Sequence, residues 1–142
     1  MERFILFLHV LGAVAMGFYL LAPLIVAKLG KMEGEAKQGV LSIMRSLNTY
    51  AQYGLVLELL TGLYLFLQDD YSVLWIALTF VLFVLIGAFG GMMGGPLRRA
   101  LDGIRERRDI SAELRKLQVF GLMVCVSFVA ILFVMMFHRL FA

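Results

Sequence analysis

Four apolar stretches, at residues 4–27, 47–67, 73–93 and 119–137, dictate most of what this 142-residue chain can become. Each has roughly the ~20 residues that an α-helix, rising ~1.5 Å per residue, needs to cross ~30 Å of hydrocarbon. Lipid offers no water to the backbone, so every N–H and C=O in such a stretch must be satisfied internally, and helices are expected. Composition points the same way. Hydrophobic residues make up 62% of the chain and charged residues 16%, with a mean hydropathy of +0.92. A soluble domain of this size could not hide so much apolar surface, which leaves lipid as its cover.

The link Gln68-Asp-Asp-Tyr-Ser72 is long enough only for a tight turn, so the second and third stretches should form an antiparallel hairpin. The expected fold is all-α: an integral membrane four-helix up-and-down bundle, one transmembrane domain over 1–142. Arg3 followed by an apolar run and Ala13-Val14-Ala15 imitates a cleavable leader, but the run continues to Ala27 and reads as a retained span. The segment 28–46 carries Lys28, Lys31, Lys37 and Arg45, and the segment 94–118 carries Arg98, Arg99, Arg105, Arg107, Arg108, Arg115 and Lys116. Eleven of the thirteen basic residues thus lie in two segments that an up-and-down topology puts on one side. The positive-inside rule makes these the cytoplasmic loops and leaves both termini outside.

The second of these loops carries its own pattern. Pro96 suits the first turn of a new helix, and Leu97, Leu101 and Ile104 recur at helical spacing opposite arginines. That reads either as an amphipathic segment on the membrane surface or as an ordinary basic loop. Ser111 is expected to cap the fourth helix, with Glu113 in its first turn.

Polar residues within the apolar stretches carry the functional information. Glu58 sits inside the second span, where an ionisable group costs roughly 2.5 kcal/mol or more and normally faces other helices, a cavity or a partner. On the first span His9, Gly12, Met16, Tyr19 and Pro23 repeat at spacings of three and four; on the second, Ala51, Gly54, Glu58, Thr61, Leu65 and Gln68 do the same. Such seams of small and polar residues let membrane helices approach closely and hydrogen-bond. Counting residues from the outer ends puts His9 and Glu58 within about 7 Å of each other in depth. Tyr64 falls near the level of His9, Ser127 near that of Glu58, and His138 at the outer end of the fourth span. A polar pocket of Glu58, Thr61, Tyr64 and Ser127 beside His9 is the expectation; the alternatives are plain hydrogen bonding for Glu58 and His9, and interfacial positions for Tyr64 and His138.

Several function classes lack support. The single Cys125 can form no intrachain disulfide, and no Cys/His cluster suggests zinc. No nucleophile–base pair or phosphate loop argues for an enzyme. The net charge of +3 follows from topology rather than nucleic-acid binding. The nine methionines form no tight repeated array and suit packing.

Leu8-His-Val-Leu-Gly-Ala-Val14 resembles the Leu-His-x-x-x-Ala opening of small bacterial membrane proteins related to the copper-resistance protein D family. Leu59-Leu-Thr-Gly-Leu-Tyr-Leu65 and a third span ending at Gly-Pro-Leu-Arg-Arg99 are similar to the next part of those proteins, over residues 4–100. The same broad group resembles the small membrane-embedded protoporphyrinogen oxidases, which bind haem through helix histidines. This chain has no tryptophan after its first-span histidine, and only two histidines. The resemblance implies a bacterial inner-membrane protein linked to haem b or redox chemistry, with His9 as axial ligand and His138 or Met16 as the second. Two alternatives remain open. One is a non-enzymatic module, a homo-oligomer or an accessory subunit of a larger membrane complex. The other is a small transporter using Glu58 as a proton or cation site.

Overall fold

The computed structural model describes residues 1–141 as helices joined by short turns, with no strand among them. The helices are α1 (Glu2–Ala15), α2 (Phe18–Leu29), α3 (Gly34–Phe66), α4 (Val73–Met92), α5 (Gly94–Arg105) and α6 (Ser111–Met136), followed by a 3-10 turn at His138–Phe141. Among the described residues, three helical stretches are long and apolar enough to cross a membrane: Glu2–Leu29, Val73–Arg105 and Ser111–Met136. The chain has the make-up of a membrane protein. Large apolar side chains such as Phe4, Val56, Leu60, Phe80 and Val126 stay exposed along the helices, as they must where lipid is the solvent.

The stretch 47–67 falls short of that standard because Asn48, Gln52 and Glu58 interrupt it. It belongs instead to α3, which begins at Gly34 and runs 33 residues, about 50 Å. The basic segment 28–46 is therefore largely helix rather than loop. So is the start of 94–118, where α5 carries Pro96 in its first turn and buries Leu97, Ala100 and Leu101 against α3 and α6. Arg98 and Arg99 stay on its exposed side. The turn after α5 closes with Arg107 in the left-handed region, φ 55°, while Arg108 N–H donates to the Gly103 carbonyl at 2.7 Å. Ser111 does not cap α6. Its backbone N–H and hydroxyl both donate to Asp109 Oδ1, at 3.1 and 2.6 Å, so Asp109 supplies the acceptor from the residue before the N-cap position, Ile110.

The first apolar stretch is two helices. At Met16–Gly17 the backbone tightens into i→i+3 bonds: Gly17 N–H to Val14, Tyr19 N–H to Met16 and Leu20 N–H to Gly17. Above this point α1 packs along α3; below it, α2 crosses to α6, which also carries α4. The core is concentrated at the end bearing the basic segments, where Leu29, Leu41, Met44, Met93, Leu97 and Leu117 are fully buried. Gly12 is the one buried residue of α1.

At the opposite end, Ser72 caps α4 by accepting from Trp75 N–H and donates its own hydroxyl to the Phe141 carbonyl. Trp75 Nε1 donates to the Val134 carbonyl at 3.0 Å, and its ring stacks on Tyr71 at 4.2 Å. This aromatic knot fastens the α3–α4 turn to the end of α6.

Candidate functional site

His9 projects from α1 onto α3, where Thr61 and Glu58 lie one turn apart on the same face. Its Nδ1 is 3.0 Å from Thr61 Oγ1 and 3.2 Å from Glu58 Oε2. The Thr61 hydroxyl proton is already committed to the Leu57 carbonyl, at 2.7 Å. Thr61 Oγ1 can therefore only accept from the imidazole, and His9 Nδ1 must be the N–H that donates. A neutral His9 is thereby fixed in one tautomer, with its lone pair on Nε2. Side-chain exposure is 17% for His9 and 12% for Glu58, so the cluster is nearly buried.

Glycines make the cluster fit. A Cβ at Gly12 would lie 2.7 Å from Glu58 Oε1, so the carboxyl occupies space that α1 leaves open by lacking a side chain there. A Cβ at Gly62 would approach His9 Cε1 to 3.3 Å, so the imidazole lies against bare α3 backbone. Gly54 meets the Gly12 carbonyl just as closely, at 2.8 Å from where its Cβ would be. Glu58 Oε1 is buried with no hydrogen-bond partner among the described residues.

The other expected members lie elsewhere. Tyr64 lies by the N-terminal end of α1, sharing a shallow groove with Met1, Glu2 and Arg3. Ser127, on α6, donates back to the Met123 carbonyl at 2.8 Å, on a helix packed against α2 and α4. Met16 is buried at the helix break, its side chain against Gly54. His138 presents its ring to the edge of Tyr71, at 6.4 Å and 79°. Of the residues picked out from sequence, the fold brings together His9, Thr61 and Glu58 and separates Tyr64, Ser127, Met16 and His138 from them. Among the described residues no three His, Cys, Asp or Glu side chains gather into a metal-holding group.

A second polar contact escaped the sequence reading. Gln52 Nε2 donates to the Tyr19 hydroxyl at 2.9 Å, and Tyr19, fully buried, lies against Gly90 of α4. A polar amide within an apolar run was the available clue.

The chain matches no family model, and no curated protein or solved structure is similar enough to count as a match.

Proposed function

We propose that the chain is a four-span protein of the bacterial inner membrane, with both termini outside, whose functional centre is the His9–Thr61–Glu58 cluster in the outer half. Four crossings are supported by the short turn between α3 and α4, the length of α3, and the gathering of basic residues in the two segments beyond α2 and α4. The polarity of α3 suits a span whose polar face is covered by another helix.

His9, through Nε2, would be the residue that holds a haem here. The observation that carries this reading is the grip on Nδ1: a ligating histidine characteristically donates its other N–H to a carboxylate or similar acceptor, which fixes the ring and makes the free nitrogen a stronger base. Thr61 and Glu58 hold that proton here. Bound haem would supply one-electron chemistry. Of the residues picked out from sequence, only His9 would be placed to hold the group, because Met16 and His138 lie in other contacts.

The deciding experiment is an absorption spectrum of protein purified from haem-replete cells, oxidised and then dithionite-reduced. A Soret band with reduced α/β bands, lost in His9→Ala and shifted in Thr61→Val, is the expected result. Colourless wild-type protein would sink it. A second reading is that the cluster is a docking contact between spans of an assembly module. The fit of the Glu58 carboxyl over Gly12 favours it, and a colourless protein destabilised by Glu58→Gln would support it.

A further inference from the structure

Away from His9, α2 and the loop-side third of α3 diverge around a groove of about 350 Å³. Ile25 and Leu47 form its membrane-facing end, Met32 and Val40 its far end, and Ile43 its open rim. Its exposed wall is apolar, and the one charged residue lining it is Lys28, on the last turn of α2. Ile25 and Leu47 lie at the limits of the first two apolar stretches, so the groove crosses the level where hydrocarbon gives way to headgroups.

We propose that this groove binds an anionic glycerophospholipid of the leaflet on that side, with one acyl chain along the apolar wall and the phosphate at Lys28. Three observations select this occupant. A peptide segment would bring N–H and C=O groups that an apolar wall cannot satisfy at this depth, whereas an acyl chain brings none. No carboxylate lines the groove, and among the described residues Lys28 has no acidic partner, so its ammonium is free for a phosphate. Lys31, Lys37 and Arg45 on the same segment add a field of the same sign, which outweighs Glu33 and Glu35. The site does not depend on the haem reading.

The test is the lipid retained by full-length protein purified from mixed phosphatidylglycerol and phosphatidylcholine bilayers, measured by mass spectrometry. Wild-type protein should hold phosphatidylglycerol enriched about five-fold over the bulk, the factor expected for one lysine at a membrane surface. Lys28→Gln should return it to the bulk ratio. Leu47→Trp should fill the groove and reduce total retained lipid while leaving helical circular dichroism unchanged. Lys116→Gln, on an exposed position of α6, should keep the enrichment. Retained lipid at the bulk ratio overturns the proposal, as does equal loss in Lys116→Gln, which would mean a diffuse field. Efficient Ile43→Cys cross-linking between two copies would give the groove to a second chain and overturn it as well.

Discussion

Along the first apolar stretch, α1 and α2 meet their neighbours in different ways. The first, α1, touches α3 through glycines and a polar cluster, and most of its surface is exposed. The second, α2, buries Phe18, Tyr19, Ala22, Pro23, Val26 and Leu29, chiefly against α6. Packing in lipid gains little from hydrophobicity, so close contact and dispersion must hold the α2 part together. The α1 part adds a few hydrogen bonds to its close glycine contacts. The difference sets a closely packed half against a half that holds the polar cluster.

The largest effect is expected from Tyr19→Ala, which empties a fully buried site and leaves the Gln52 amide unpaired. A loss of about 3–5 kcal/mol should appear in equilibrium unfolding in mixed micelles. A loss under about 1 kcal/mol would break the comparison, since the α2 half would then be no tighter than a surface. Glu58→Gln should cost less, about 1 kcal/mol, because an interhelical hydrogen bond in a membrane is worth little more. The same assay decides it. A cost equal to that of Tyr19→Ala would make the polar cluster a structural keystone rather than a site.

The smallest effect belongs to Asp109, fully exposed at the entry to α6. Hydrogen bonds from the Ser111 side chain and then its backbone hold the Asp109 carboxyl below the usual range. A lowered pKa means that folding favours the ionised form. Its contribution is present at neutral pH and is lost as pH falls through the lowered folded value. Asp109→Ala should speed amide exchange in the first turn of α6 at neutral pH. In strong acid, mutant and wild type should exchange alike.

The apolar stretches and the place of each polar residue along its helix could be read from the chain, because both follow from counting at a fixed rise per residue. Depth placed His9 near Glu58 correctly, and it placed Tyr64 and Ser127 near them too. Tyr64 also faces α1 but lies nearer its N-terminus, beside Met1, Glu2 and Arg3, so distance along the axis separates it; azimuth separates Ser127. Ser127 is on a helix that turns toward α2 and α4, and no count along the chain reveals that rotation. The helical start of α3 was also hidden, since the polar, charged residues from Gly34 to Ser46 resemble a loop by composition while burying Leu41 and Met44. Gln52 went unnoticed because it lies off the seam that carries Glu58.

The tightened turn at Met16–Gly17 sets a phase. Each i→i+3 step advances about 120° around the axis instead of 100°, so a few such steps rotate everything below them by tens of degrees. An even helix would point His9, Met16, Tyr19 and Pro23 at a single neighbour. With the extra rotation the stripe passes from α3 at His9 and Gly12, to α4 at Tyr19, to α6 at Pro23, where Gly121 receives it. One hydrophobic run thereby serves three partners. The meeting of His9 with Glu58 is settled in part by the backbone about seven residues further along, much as the setting of one tooth in a gear train decides which others mesh.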